Sequence, residues 1–471
     1  MKTNCFMKEF LSHALSSDIP AFSVFDGEKK EEISYRTFSN DVLRAANFLA
    51  AQHIRNQHIA LLAQNSYLWI VTFFSILACG NVPVPLNPDV SKDMILQQCE
   101  RADVSVIYAD AAIISDFGSA GKNITIFPLN KQIYAAPMLL DEVYSAELDE
   151  TSLLLFTSGT TGTSKVVEYS AKNLQSFIED SQIYLWDVHS VLLCLPLYHV
   201  YGVLTALTCL FHQKTVCIGR GMRYWIADMP VLNPSFVCVV PSALSSFVKL
   251  LKKASTVQER QKYTGNNLIS IFTGGASVQP DLCCYMMELG IKVQSIYAMT
   301  ESTGAGTWCV LDGTNADSIG KPYGNMECRI ENGELLLKGP AVMKGYYKDP
   351  EATAEIIVNG WLHTGDIVSR DERGFYYIIG RKKNVIILSN GENVNPEEIE
   401  AKWGNSESIL ECLVYGDGKG ICADVYTADK PEAMKYIKSY NESVPTYHQV
   451  YKVNYFEKPL EKTASGKIKR K

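Results

Sequence analysis

Short apolar runs that alternate with helical patterns limit the architectures open to this chain. His58 to Ala63, a helix near Leu68 to Leu77, Val82 to Leu86, a helix around Met94 to Arg101 and Val104 to Ala109 follow one another. That β-α-β-α-β rhythm predicts α/β layers built on largely parallel sheets. A second series comprises Val191 to Leu195, Val216 to Ile218, Phe236 to Val240, a helix over Ser242 to Leu251, and Ile269 to Phe272. From Ala305 to Asp366 the texture turns to hairpin-like β structure, with Asn332-Gly333 as a turn between Cys328 to Glu331 and Glu334 to Lys338. After Phe375 to Ile379, the polar, basic stretch Gly380 to Asn384 marks the expected domain boundary. A helix then opens with Asn395 as N-cap, Pro396 at the first helical position and Glu397 and Glu398 on the positive end of the dipole. The remainder reads as a small C-terminal α+β unit. With 471 residues, the chain exceeds what one core supports, and two or three domains are expected.

The balance of 44 basic against 51 acidic residues gives a net charge of -7, which argues against a general nucleic-acid or membrane-surface binder and for small-molecule chemistry. Thirteen cysteines are scattered without any C-x-x-C pair, so neither a zinc site nor a disulfide framework is expected. Reduced thiols in a cytoplasmic protein fit best. The run Trp69 to Ala78 is too short to span a bilayer and reads as a buried helix. The amino-terminal stretch carries interspersed charges and no continuous apolar core, so no export signal is expected.

Phe156 to Lys165, FTSGTTGTSK, concentrates Thr, Ser, Gly and one Lys directly after the apolar Leu153, Leu154 and Leu155. A strand feeding a flexible, hydroxyl-rich loop is a device for holding phosphate: glycines turn N–H groups toward an anion, hydroxyls donate, and Lys165 adds charge. It is not a Walker P-loop, because Gly159 and Gly162 are too close and Lys165 does not follow a glycine. Thr273-Gly274-Gly275-Ala276, after another strand, stands at the kind of strand end where α/β sheets bind ligands, and equally suits a tight turn.

Five further segments recur in order: PLYHVYG (Pro196 to Gly202), YAMTE (Tyr297 to Glu301), HTGD (His363 to Asp366), GRKKN (Gly380 to Asn384) and KTASGK (Lys462 to Lys467). Together with the Thr/Gly loop, this set resembles the acyl-adenylate-forming superfamily of acyl-CoA synthetases, aryl-acid CoA ligases, luciferase and adenylation domains, over nearly the whole chain. The resemblance implies a large N-terminal domain, 1–383, of two α/β sheet subdomains plus a β-rich subdomain. It implies a small mobile α+β C-terminal domain, 384–471, that carries the catalytic lysine.

The same resemblance assigns the site. Thr157, Ser158, Gly159, Thr160, Thr161, Gly162 and Lys165 would lie over the β and γ phosphates of ATP; Gly274, Gly275 and Ala276, by their place at a strand end, are a second candidate wall of the nucleotide site. Tyr297, followed by Ala298, matches the aromatic that stacks on adenine. Thr300 and Glu301 match the pair near the α-phosphate, with Glu301 as Mg²⁺ ligand. Asp366 would accept the ribose hydroxyls and Arg381 would face ribose and phosphate. Lys467 matches the catalytic cation, Lys383 the hinge about which the C-terminal domain turns, and His199 a pocket gate or a structural histidine.

The implied reaction converts a carboxylate and ATP to an acyl-adenylate and pyrophosphate, after which a thiol displaces AMP. Ala298 stands where acetate-restricted members carry Trp, and no Asp stands near Tyr198 and His199, so an apolar medium or long acyl chain or an aryl acid is expected. The short stretch between Glu397 and Lys467 bears on the thiol tunnel and leaves the acceptor open between CoA and the phosphopantetheine arm of an acyl carrier protein. The retained Lys467, Glu301 and Asp366 speak against a nucleotide-binding pseudo-enzyme.

Overall fold

The computed structural model of the protein describes residues 6–117, 124–135, 143–144, 146–157, 164–185, 187–274, 278–388, 392–404, 406–462 and 468–470. The chain forms two compact units, one within 1–157, 165–328 and 337–362, the other within 158–164, 329–336 and 363–471.

In the first unit, four parallel strands run in the order Val82–Pro85, His58–Leu62, Val104–Ala109 and Thr125–Pro128. Parallel strands covered on both faces read as unbroken apolar runs, and Ile59, Ala60, Leu61 and Leu62 are all buried. The apolar run at Trp69 is the buried helix Tyr67–Ala78, whose N-cap Ser66 accepts from the Trp69 N–H. A hydroxyl at that position satisfies one amide that the first turn leaves open. Helix Lys92–Arg101 follows, as its period-3.6 pattern requires, with Ile95 and Cys99 facing the core.

A larger sheet of nine strands, counted among the described residues, carries the second series. Six of them are parallel, in the order Lys292–Ala298, Ser270–Gly274, Phe236–Val239, Ser190–Leu192, Thr215–Ile218 and Pro20–Phe25. The strand expected over Val191 to Leu195 stops at Leu192. Three residues further on, the backbone is bonded instead by a side chain: Asn65 Nδ2 donates to the Leu195 carbonyl and Leu197 N–H donates to Asn65 Oδ1. The strand at Phe236 ends at Val239 because Pro241 opens helix Pro241–Leu251. A third, antiparallel sheet joins Thr151–Phe156, Val166–Ser170 and Gly345–Tyr346. The β-rich texture expected to run from Ala305 is interrupted by helix Pro350–Ile356, capped by Asp349.

The second unit turns at Asn332 and Gly333, with φ of +50° and +80° respectively. Its strand Trp361–Arg370, from His363 onward, pairs antiparallel with Tyr376–Arg381. Farther along, Glu411–Gly416, Ile421–Tyr426 and Val450–Phe456 form a sheet against helices Pro396–Trp403 and Lys430–Ser443, around buried Trp403, Ile399, Val414, Val425 and Ile437. Asn395 stands at the N-cap position with Pro396 behind it, but its side chain makes no capping hydrogen bond. It packs against Gly380, where a Cβ would lie 3.3 Å from Asn395 Cβ and Cγ.

Helix Val200–Phe211 explains the glycine of PLYHVYG, because a Cβ at Gly202 would lie 2.0 Å from the Pro196 carbonyl oxygen. Backbone cannot yield to that contact without moving the helix or the segment before it. Gly202→Ala is expected to destabilise the protein by about 1–3 kcal/mol, the usual cost of overpacking, read as a lower urea midpoint.

Candidate functional site

The Thr/Gly loop is closed at its base by its own strands. Phe156 faces Val166 in the antiparallel register. Beyond that pair, Thr157 N–H donates to the Lys165 carbonyl at 2.9 Å and Lys165 N–H donates to Thr157 Oγ1 at 3.1 Å. Ser158, Gly159, Thr160, Thr161 and Gly162 lie outside the described residues, so Thr157 and Lys165 are the observed ends of the loop. The Lys165 ammonium sits 4.5 Å from the centroid of the Tyr346 ring.

Thr300 and Glu301 form a tight turn, Thr300–Ser302, followed by Thr303 in the left-handed region at φ +51°. A single turn leaves most of its polar groups without helical partners, and here neighbouring segments supply them. Tyr169 Oη donates to the Thr300 carbonyl at 2.7 Å, Met343 N–H to the Glu301 carbonyl at 2.9 Å, and Thr303 Oγ1 to the Ala341 carbonyl at 2.5 Å. Tyr346 Oη donates to Glu301 Oε1 at 2.8 Å. Burial and then the Glu301 charge push the phenols of Tyr169 and Tyr346 well above their ordinary range, so both remain donors at neutral pH.

Gly274 ends its strand beside Ile296, and Tyr297 and Ala298 end the next. Gly275 and Ala276 lie outside the described residues. Tyr297 is 7% exposed and opposite Thr307, so its ring is largely enclosed. His199 occupies the N-cap position of helix Val200–Phe211, with its ring 4.8 Å from that of Tyr198. Burial lowers its pKa, which favours the neutral imidazole at pH 7.

In the second unit Asp366 is 1% exposed and directly opposite Arg381, whose Nε lies 2.6 Å from Asp366 Oδ1. The two residues expected to face ribose thus also meet each other. Gly365, at φ +70°, gives its N–H to Glu334 Oε1 at 2.9 Å, and Glu334 Oε2 receives Lys382 Nζ at 2.9 Å and His363 Nδ1 at 3.3 Å. Lys383 lies exposed in the turn Lys382–Asn384, and Asn384 Nδ2 donates to Glu397 Oε1 at 2.5 Å.

Lys467, with Thr463 and Gly466, lies outside the described residues. The residues on either side are anchored: Lys462 pairs antiparallel with Ile468, Lys469 N–H donates to the Glu461 carbonyl, and Lys462 Nζ lies 2.6 Å from Glu411 Oε1. Arg470 holds the end of the chain through Glu400 Oε2 at 2.6 Å and the Val414 carbonyl at 3.1 Å.

Two family descriptions match: "AMP-binding enzyme" over residues 13–347, and "AMP-binding enzyme C-terminal domain" over 383–471. The chain belongs to the AMP-binding enzyme family. The resemblance to acyl-CoA synthetases expected from the motifs is thereby borne out. A 2-succinylbenzoate–CoA ligase of Bacillus cytotoxicus is 28% identical over 474 residues, covering 94% of this chain and 93% of its own. A long-chain-fatty-acid–CoA ligase of Bacillus subtilis is 26% identical, covering 94% and 89%. Among solved structures, O-succinylbenzoate coenzyme A synthetase of Bacillus subtilis, in complex with ATP and magnesium ion, superposes with a TM-score of 0.85 at 23% identity, covering 100% and 98% of the two chains. ATP-bound MatB from Rhodopseudomonas palustris gives 0.82 at 22% identity, covering 98% and 97%. At such identity the structural likeness shows the fold, and it bears out the α/β assignment with a C-terminal domain.

Sequence reasoning about this AMP-binding enzyme missed Tyr169, Tyr346, Asn65 and Glu334. Glu334 alone left a local signal, a carboxylate opening the apolar strand Glu334–Lys338 straight after the Asn-Gly turn. It is 4% exposed. Burial by itself would raise its pKa, but Lys382, the Gly365 N–H and His363 together outweigh burial and hold it below the ordinary value. A depressed folded pKa stabilises the fold above the unfolded value of about 4.3, and that stabilisation is lost as pH falls through the folded value. Glu334→Gln should therefore cost roughly 1–3 kcal/mol at pH 7, with the wild-type advantage in urea midpoint shrinking as the pH is taken from about 5 to about 3.

Proposed function

We propose that this AMP-binding enzyme is an AMP-forming ligase that activates an apolar carboxylic acid with ATP and passes the acyl group to the thiol of CoA. One observation carries the reading: Tyr346 touches both Lys165, the end of the phosphate loop, and Glu301 of the YAMTE turn. Two motifs 136 positions apart by residue number, Lys165 and Glu301, thus converge on one side chain. The adjacent carboxyl ends of the parallel strands at Val239, Gly274 and Ala298 are where α/β sheets bind ligands.

In the first half-reaction, a carboxylate oxygen of the acid attacks the α-phosphorus of ATP as the bond to pyrophosphate breaks. Thr157, Lys165 and the intervening loop hold the leaving β and γ phosphates. Glu301 suits Mg²⁺: its oxygens are hard donors, Oε1 is oriented by Tyr346, and this ion commonly takes one or two carboxylates with the rest from phosphate and water. Bound there, Mg²⁺ would neutralise phosphate charge. Asp366 takes the ribose hydroxyls, with Arg381 beside it, and the Lys467 ammonium offsets charge that develops during attack. In the second half-reaction the thiol sulfur bonds to the acyl carbon, AMP departs, and the thiol proton passes to solvent.

Residues 384–471 act as the moving domain, with Lys383 at the hinge, where an exposed polar turn tolerates backbone rotation. Ala298, a small residue at the end of strand Lys292–Ala298, suits a medium or long acyl chain or an aryl acid. We place the enzyme in the cytoplasm. The described cysteines are free thiols, as a reducing compartment favours, and no helix among the described residues is long and apolar enough to cross a membrane.

Pyrophosphate release across a library of carboxylic acids tests the reading, followed by CoA and carrier protein compared as acceptors. Apolar acids should stimulate release, and CoA should accept the product; transfer to carrier protein alone would move the enzyme to the carrier-loading class. Lys467→Ala is expected to lower acid-dependent pyrophosphate exchange by roughly a hundredfold or more while sparing thiol transfer from preformed acyl-AMP. Unchanged exchange in that variant would sink the assignment of Lys467.

A further inference from the structure

Beyond its hydrogen bond to Glu301, Tyr346 takes no part in the ligase chemistry given above, yet its position is determined from several sides. It lies on the short strand Gly345–Tyr346, which pairs with Glu168 and Val167. On either side, Lys344 N–H donates to the Glu168 carbonyl and Tyr347 N–H to the Val166 carbonyl, while Tyr346 N–H itself donates to Thr353 Oγ1 at 2.8 Å. The side chain is 8% exposed and has only two torsions to set. Its hydroxyl points a proton at Glu301 Oε1, and its negative ring face lies under the Lys165 ammonium.

A lysine and a carboxylate near one another in a partly dry site attract strongly. Left to themselves they would close into an ion pair, and both would be lost to phosphate and metal. Among the described residues no ion pair joins Lys165 to Glu301. The aromatic ring offers each charge a weaker partner, one on its face and one at its edge, and so holds them apart.

We propose that Tyr346 is a positioning residue, a rigid spacer that keeps Glu301 free for the metal and Lys165 free for the phosphates of the same nucleotide. The inference rests on the ligase reading given above. Tyr346→Phe separates its two contacts, because the ring under Lys165 survives while the hydroxyl on Glu301 is lost.

Calorimetric titration with ATP, once with Mg²⁺ and once with EDTA, tests it without reference to turnover. Tyr346→Phe should weaken binding of MgATP by about five- to tenfold, the scale of one net hydrogen bond, and leave metal-free ATP within about twofold. In a Glu301→Gln background the same substitution should have no further effect on MgATP. Tyr346→Leu should weaken both forms, and a thermal melt of each variant reports folding separately. Wild-type affinity for MgATP in Tyr346→Phe, or equal loss of both forms in that variant, overturns the spacer role. Wild-type protein that binds neither form overturns the ligase reading and this inference with it.

Discussion

The turn at Thr300 to Thr303 is the constraint on which the first unit's chemistry depends. A single turn cannot satisfy its own amides and carbonyls, so it holds one shape only if other segments complete its hydrogen bonds. Tyr169, from the strand following the Thr/Gly loop, and the stretch from Ala341 to Tyr346 do this from different parts of the chain. Those same segments form the antiparallel sheet that flanks Thr157 and Lys165, so these two residues and the turn are built on one framework.

The second unit solves a different problem. A carboxylate as buried as Asp366 is costly unless paired, and the register of its hairpin brings Arg381 to it. Glu334, also buried, binds the backbone just before Asp366 on one side and Lys382, in the turn after Arg381, on the other. This ties the geometry of Asp366 to the polar turn that follows. At the chain end, Arg470 and Lys462 secure both flanks of the segment bearing Lys467.

Much of the fold was legible because its strands announce themselves. Parallel strands buried on both faces, such as Val104–Ala109 and Phe236–Val239, appear as uninterrupted apolar runs, and their boundaries fell within a few residues of expectation. Motif residues were legible through their order along the chain. Glu301 and Asp366 could be named, but the phenol that orients the first and the guanidinium that pairs with the second are set by strand register. Tyr346 and Tyr169 look like ordinary core aromatics in sequence, and Asn65 like any loop polar residue. Asn395 stands at the expected N-cap position, but its side chain lies beside Gly380 and makes no capping hydrogen bond, a placement that local preference does not report.

By itself the sequence determined the alternation of strand and helix, the order of the motifs and the chemical types available at each, because periodicity and short-range spacing are local properties of a chain. Only the tertiary structure decided that strand Pro20–Phe25 joins the large sheet beside Thr215–Ile218, and that Lys165 and Glu301 both meet Tyr346. Those pairings bring together residues from 45 to nearly two hundred positions apart. Their energies depend on burial, register and the loss of competing water, and none of these exists until the chain has folded.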